Sequence, residues 1–157
     1  MRVHIAADHA GFGLKKYLVE RLAKAGYEVV DHGAHHYDPQ DDYPGFCIEC
    51  AQAVVTDEVD GIESLGVVLG GSGNGEQLAS NTVRGVRAAL VTHLDLATLA
   101  RRHNNANVIA LGARFTAPEF AWVLVQAFLT TPFSGEPRHV RRVQQLAEAQ
   151  AAAAAPV

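Results

Sequence analysis

The heptapeptide GGSGNGE, Gly70 to Glu76, is the stretch of this sequence best equipped for chemistry. Four glycines in its first six positions let the backbone turn sharply and bring N–H donors close to a ligand. Such donors stabilise an anion, either a phosphate or an enediolate. The stretch lacks the Lys-Ser/Thr pair of a Walker A loop, and Glu76 stands where G-x-G-x-x-G requires its third glycine. A plain strand-to-helix turn is the competing reading. Glu76 has two candidate roles to match: a partner for a helix N-terminus, or a carboxylate base facing the ligand.

Three further groups carry chemistry. Asp8 and His9 follow a short apolar run, where a charged pair serves either as a helix cap or as a ligand contact. His103-Asn104-Asn105 closes a helical pattern, a place where His and Asn also act as plain caps. Arg138, His139, Arg141 and Arg142 fall within five residues. On a helix Arg138 and Arg142 share one face, and the planar arginine fork suits phosphate as well as solvent. The chain as a whole carries a formal net charge of −4, which argues against nucleic acid as partner. A basic spot on an acidic protein points to a small anion.

Two other features invite a reading that their context does not support. Cys47 and Cys50 form a C-x-x-C inside a helical pattern, without the strand context of a redox motif, and read as packed core thiols. His32, His35, His36 and Asp38 crowd one loop without regular ligand spacing, so a metal centre is not expected there.

These groups need elements to position them. Short apolar runs at Val3–Ala7, Tyr27–Val30, Leu65–Leu69, Ala88–Val91 and Val108–Leu111 read as five strands. Amphipathic patterns alternate with them: Leu14, Leu18 and Leu22; Phe46 to about Val55; Leu94 to about His103; and a stretch opened by Pro118 that carries Phe120, Val123, Leu124, Ala127 and Phe128. A break from Thr130 to Pro137 precedes a C-terminal helix through Leu146, and an Ala-rich tail from about residue 150 extends it or frays. Fully apolar strands alternating with helices predict an α/β fold, a parallel sheet covered on both faces. In such sheets ligands bind beyond the carboxyl ends of the strands. Asp8 and His9, Gly70–Glu76, and Gly112–Arg114 all follow strands.

Length and composition suit one globular domain over residues 1–157, with 48% hydrophobic and 19% charged residues. No apolar run is long enough to cross a bilayer and none resembles a signal peptide, so a soluble protein without membrane partners is expected. Two cysteines make no disulfide framework, and the expected location is the cytoplasm.

Five motifs occur in order: ADHAG near the N-terminus, DDYP at Asp41–Pro44, GGSGNGE, RRHNNAN at Arg101–Asn107, and RHVRR at Arg138–Arg142. Together they closely resemble ribose-5-phosphate isomerase B over nearly the whole chain. The galactose-6-phosphate and allose-6-phosphate isomerases resemble the same family. The resemblance implies a Rossmann-like three-layer α/β/α fold with a five-stranded parallel sheet and a C-terminal helix. It implies interconversion of ribose 5-phosphate and ribulose 5-phosphate in the pentose phosphate pathway, without metal or cofactor. The family's members are homodimers, some of them dimers of dimers, with active sites shared between subunits. One branch of the family uses a cysteine base where this chain has Gly70, and neither Cys47 nor Cys50 aligns with it. The chain matches instead the actinobacterial-type branch, whose base corresponds to Glu76.

By the same resemblance, Ser72 and the N–H groups of Gly71, Gly73, Asn74 and Gly75 stabilise the developing oxyanion. His103, supported by Asn104, opens the sugar ring. Asp8 and Tyr43 orient hydroxyls. His9, Arg114, Arg138 and Arg142 contact phosphate, some from the partner subunit, and His139 matches another binding position. Three alternatives remain: the same chemistry on an aldohexose 6-phosphate, a non-catalytic phosphate- or nucleotide-binding module, and a metal isomerase using the histidine loop.

Overall fold

The computed structural model describes residues 1–153. Five strands, β1 (Arg2–Ala7), β2 (Glu28–Asp31), β3 (Ser64–Gly70), β4 (Ala88–Leu90) and β5 (Val108–Gly112), form one parallel sheet in the order β2-β1-β3-β5-β4. The connecting helices are α1 (Phe12–Lys24), α2 (Tyr43–Val59), α3 (Asn74–Ser80), α4 (Leu94–Asn104) and α5 (Pro118–Thr130), and α6 (Pro137–Ala153) follows. The result is the three-layer α/β/α arrangement that the alternating pattern predicts.

The central strands β1, β3 and β5 are buried on both faces, which is why they read as continuous apolar runs. Val3, Ile5 and Ala7 of β1 and Leu65, Val67 and Leu69 of β3 point one way, into a core with Leu14, Leu18 and Leu22 of α1 and the buried residues of α4 and α5. Ala6, Val68, Val108 and Ala110 point the other way, against Cys47, Cys50, Ala51 and Val54 of α2 and Ala79 of α3. Both cysteines are free and fully buried, as core thiols should be. Burial pushes the Cys50 thiol up to about 12 and that of Cys47 higher still. Neither is set up to act as a nucleophile.

α2 begins three residues earlier than the apolar periodicity predicts and runs four residues further. Pro44 sits in its first turn, where the missing N–H costs nothing and the fixed φ favours helix, so the helix starts ahead of its amphipathic pattern. α6 continues past Leu146 to Ala153; the rest of the Ala-rich tail lies outside the described residues. The loop between β2 and α2 is pinned by Lys15, whose buried ammonium donates to Asp31 Oδ1 at 2.7 Å and to the carbonyl of Ala34 at 2.7 Å. That anchor carries Asp41 and Tyr43 to the carboxyl edge of the sheet.

Candidate active site

After β1 the chain turns outward to β2, while β3 lies on the other side of β1, so the loops following β1 and β3 diverge from a switch point. Asp8 and the glycine loop flank that crevice. Asp8 is buried, and its Oδ1 accepts the N–H groups of Ala10 and Gly11 at 2.9 and 3.0 Å. It shapes the turn into α1, although the residue at the cap position of that helix is Gly11. Its second oxygen lies 3.9 Å from His9 Nδ1.

The glycines of the loop are spaces, each filled by a specific side chain. A Cβ on Gly70 would lie 1.7 Å from Glu76 Oε1 and 2.1 Å from its Cδ, so the carboxylate rests directly over that α-carbon. A Cβ on Gly71 would meet the Arg114 guanidinium at 3.1 Å, and one on Gly75 the Tyr43 ring at 2.5 Å. Gly73, at φ +82°, takes the left-handed turn that opens α3. Backbone bonds from Ala113 to Gly70 (2.8 Å) and from Arg114 to Gly71 (3.1 Å) tie this loop to the end of β5. Ser72 Oγ accepts from the backbone and side-chain nitrogens of Asn74 at 3.3 and 3.1 Å, which leaves its own hydroxyl proton for a ligand.

Glu76 is 3% exposed. Burial raises its pKa, with the nearby Asp8 charge adding to the rise, while backbone N–H groups of Glu76 and Gly73 oppose it. A carboxylate in that setting is a stronger base than one in water and also a cost to the fold. A carboxyl whose folded pKa is raised loses its contribution to stability as pH rises through that pKa. Glu76→Gln should therefore raise Tm at pH 7–8, by about 2–4 °C for each kcal/mol relieved, and the gap should close as pH falls through the carboxylate range. Thermal melts across pH test this; a Gln variant no more stable than wild type at pH 8 would contradict it.

Asp41 is the site residue that sequence reasoning left without a role. Its Oδ1 accepts the backbone N–H of His9 at 2.9 Å and bonds the ring Nδ1 at 2.6 Å. Thirty-two residues separate the partners, and only the DDYP motif marked the position. Asp8, His9 and Asp41 each bring a potential ligand atom within 4.8 Å of the others. Within that group His9 Nδ1 and Asp41 Oδ1 are hydrogen-bonded to each other. In the histidine loop, His32 bonds His4 and Glu49 at 2.8 and 3.2 Å, and His35 and His36 are exposed.

The remaining predicted residues lie elsewhere. His103 and Asn104 end α4, which runs back to the edge of the sheet where β5 begins. His139 is 2% exposed; its Nδ1 lies 2.6 Å from Ser134 Oγ and its ring packs on His103 with centroids 4.3 Å apart. Burial and the neighbouring cations lower its pKa. Arg138 and Arg142 are exposed beside it, Arg138 paired with Glu136 at 2.9 Å. The five-residue β5 puts about 16 Å between the two edges. One chain thus gathers Asp8, His9, Tyr43, Gly71, Ser72, Gly73, Asn74, Gly75, Glu76 and Arg114 at the carboxyl edge. His103, Asn104, Arg138, His139 and Arg142 collect at the opposite edge.

Comparison with known proteins bears on this geometry. A family model described as Ribose/Galactose Isomerase matches residues 3–146. Ribose-5-phosphate isomerase B of Mycolicibacterium paratuberculosis is 50% identical over 148 residues, spanning 94% of this chain and 91% of that protein. The structure of Clostridium thermocellum ribose-5-phosphate isomerase B superposes with a TM-score of 0.91 at 38% identity, covering 98% of this chain and all of that one. The Mycoplasma genitalium enzyme, solved with bound ribulose 5-phosphate, gives 0.88 at 37% identity over 96% of both chains. With half its residues shared with one such enzyme and its fold shared with the others, the chain belongs to the ribose/galactose isomerase family.

Proposed function

We propose that this protein interconverts D-ribose 5-phosphate and D-ribulose 5-phosphate, with Glu76 as the base. The observation that carries the assignment of the base is the buried Glu76 carboxylate lying over the side-chain-free Gly70, beside an outward-facing Ser72 hydroxyl. Moving the carbonyl from C1 to C2 requires taking the C2 proton of the open-chain aldose and returning one to C1. A single desolvated carboxylate does both: it accepts the C2 proton, negative charge moves to O1, and a cis-enediolate forms. Ser72 and the N–H groups of Gly71, Gly73, Asn74 and Gly75 stabilise that oxyanion, and the Ser72 hydroxyl gives its proton to O1 as it takes the one on O2. Protonated Glu76 then delivers its proton to C1, leaving the carbonyl at C2. Asp8 and Tyr43 orient the hydroxyls, and His9 and Arg114 take phosphate. The phosphate does not react, and its binding holds the reacting carbons in place.

His103 and Asn104 serve ring opening, and Arg138, His139 and Arg142 complete the binding site, but from a second copy of the chain. Their place at the opposite sheet edge supports a homodimer with shared sites, extensible to a dimer of dimers. We read residues 1–157 as one such domain, working in the cytoplasm in the pentose phosphate pathway. Among the described residues no helix is long and apolar enough to cross a membrane.

Two assays test this reading. Purified protein with chelator present should convert ribose 5-phosphate faster than allose or galactose 6-phosphate. Better turnover of a hexose phosphate would overturn the substrate, and silence on all three would favour a binding module. Mixing inactive Glu76→Gln and His103→Ala chains after unfolding and refolding together tests the shared site. Random pairing makes half the dimers mixed, each with one intact site, so about a quarter of wild-type activity should return. A mixture as silent as its components would place both residues in one chain's site.

A further inference from the structure

His9 is gripped at two points by a single oxygen. Asp41 Oδ1 takes its backbone N–H at 2.9 Å and its ring Nδ1 at 2.6 Å. A carboxylate has no proton to give, so Nδ1 carries the hydrogen and Nε2 is the nitrogen left for a ligand. The Asp41 side chain is 9% exposed, and among the described residues its buried Oδ2 has no hydrogen-bond partner. A buried unsatisfied carboxylate oxygen costs stability, and a loop needing only a turn here has no use for it.

We propose that Asp41 is a positioning residue for phosphate recognition, holding His9 as an imidazolium with Nε2–H presented to the substrate phosphate. The proposal rests on the reading of His9 as a phosphate contact. A neutral ring with its hydrogen on Nδ1 turns a lone pair toward the anion; only the doubly protonated ring donates to it. The surroundings agree. The hydrogen bond to Asp41 is the largest influence and raises the pKa of His9; partial burial opposes it, the Asp8 charge adds to the rise, and Arg114 works against it. The net direction is upward.

Asp41→Asn keeps the size and the acceptor oxygen and removes the charge. NMR titration of the His9 ring, assigned with His9→Gln, and kinetics from pH 6 to 8.5 form the test. In Asp41→Asn the His9 midpoint should fall, and at a pH above the wild-type midpoint KM for ribose 5-phosphate should rise about tenfold per pH unit of that fall. Below both midpoints KM should stay near wild type, and kcat should change little on either side of them. Asp41→Ala should move both readouts in the same direction, and Asp41→Asn should add nothing on a His9→Gln background. An unmoved His9 midpoint overturns the coupling, and so does a loss of kcat at constant KM. A midpoint that falls while KM stays flat in Asp41→Asn and in His9→Gln overturns the phosphate reading of His9 instead, and the functional role of Asp41 with it.

Discussion

Glu76→Gln is expected to lower kcat for ribose 5-phosphate by about 10²–10⁴, the usual worth of a positioned general base, while KM stays within about threefold. Gln matches the shape of the carboxylic acid but takes no proton from carbon. The site around it should be undisturbed: Gly70 still leaves room for the side-chain end, and the Ser72–Asn74 hydrogen bonds do not involve it. The loss should therefore fall on the chemical step. Steady-state kinetics with phosphate-ligand binding measured in parallel separates the cases. A variant that binds poorly shows a structural Glu76; one that turns over normally shows another base.

Gly70→Ala should be nearly as damaging, although it removes no functional group. The added methyl would sit 1.7 Å from Glu76 Oε1, far inside contact distance, so the carboxylate must leave its place. The backbone needs no left-handed φ at Gly70, and the clash is with the end of a side chain, so the fold should survive. A fall in kcat of about 10²–10³ is expected, since misplacement of a reacting group by an ångström costs on the order of 10²-fold. The double variant Gly70→Ala/Glu76→Gln should be no worse than Glu76→Gln alone, because both changes disable one group. Full activity in Gly70→Ala would mean that the carboxylate works from elsewhere.

In this chain the glutamate at 76 depends sterically on the missing side chain at position 70. A side chain at the first position and the observed placement of Glu76 cannot share the space. The sequence carried both letters, but not that they touch.

Other parts were legible in proportion to how local their physics is. The run Leu65–Leu69 marked β3 because a strand covered on both faces has no polar side, and Leu14, Leu18 and Leu22 marked α1 by their spacing. The start of α2 was missed because it depends on Pro44 and the extended Asp42 rather than on apolar period. Strand order was out of reach: nothing in Ala88–Leu90 says that it lies outside β5, at the sheet's rim. Motif order likewise brought His103 and Glu76 into one list of site residues, while the direction of α4 sends them to opposite edges. Asp41 escaped because a hydrogen bond across thirty-two residues leaves no spacing signature.

The most direct test of the account is carbon-bound deuterium after turnover of ribose 5-phosphate in D₂O, read by NMR for wild type and Glu76→Gln. Proton transfer through an enediolate at Glu76 predicts that wild type washes deuterium into C1 of ribulose 5-phosphate and C2 of ribose 5-phosphate as turnovers accumulate, and that the variant does so slower by the same factor as its kcat. Undiminished exchange in the variant would contradict the account by taking the base away from Glu76.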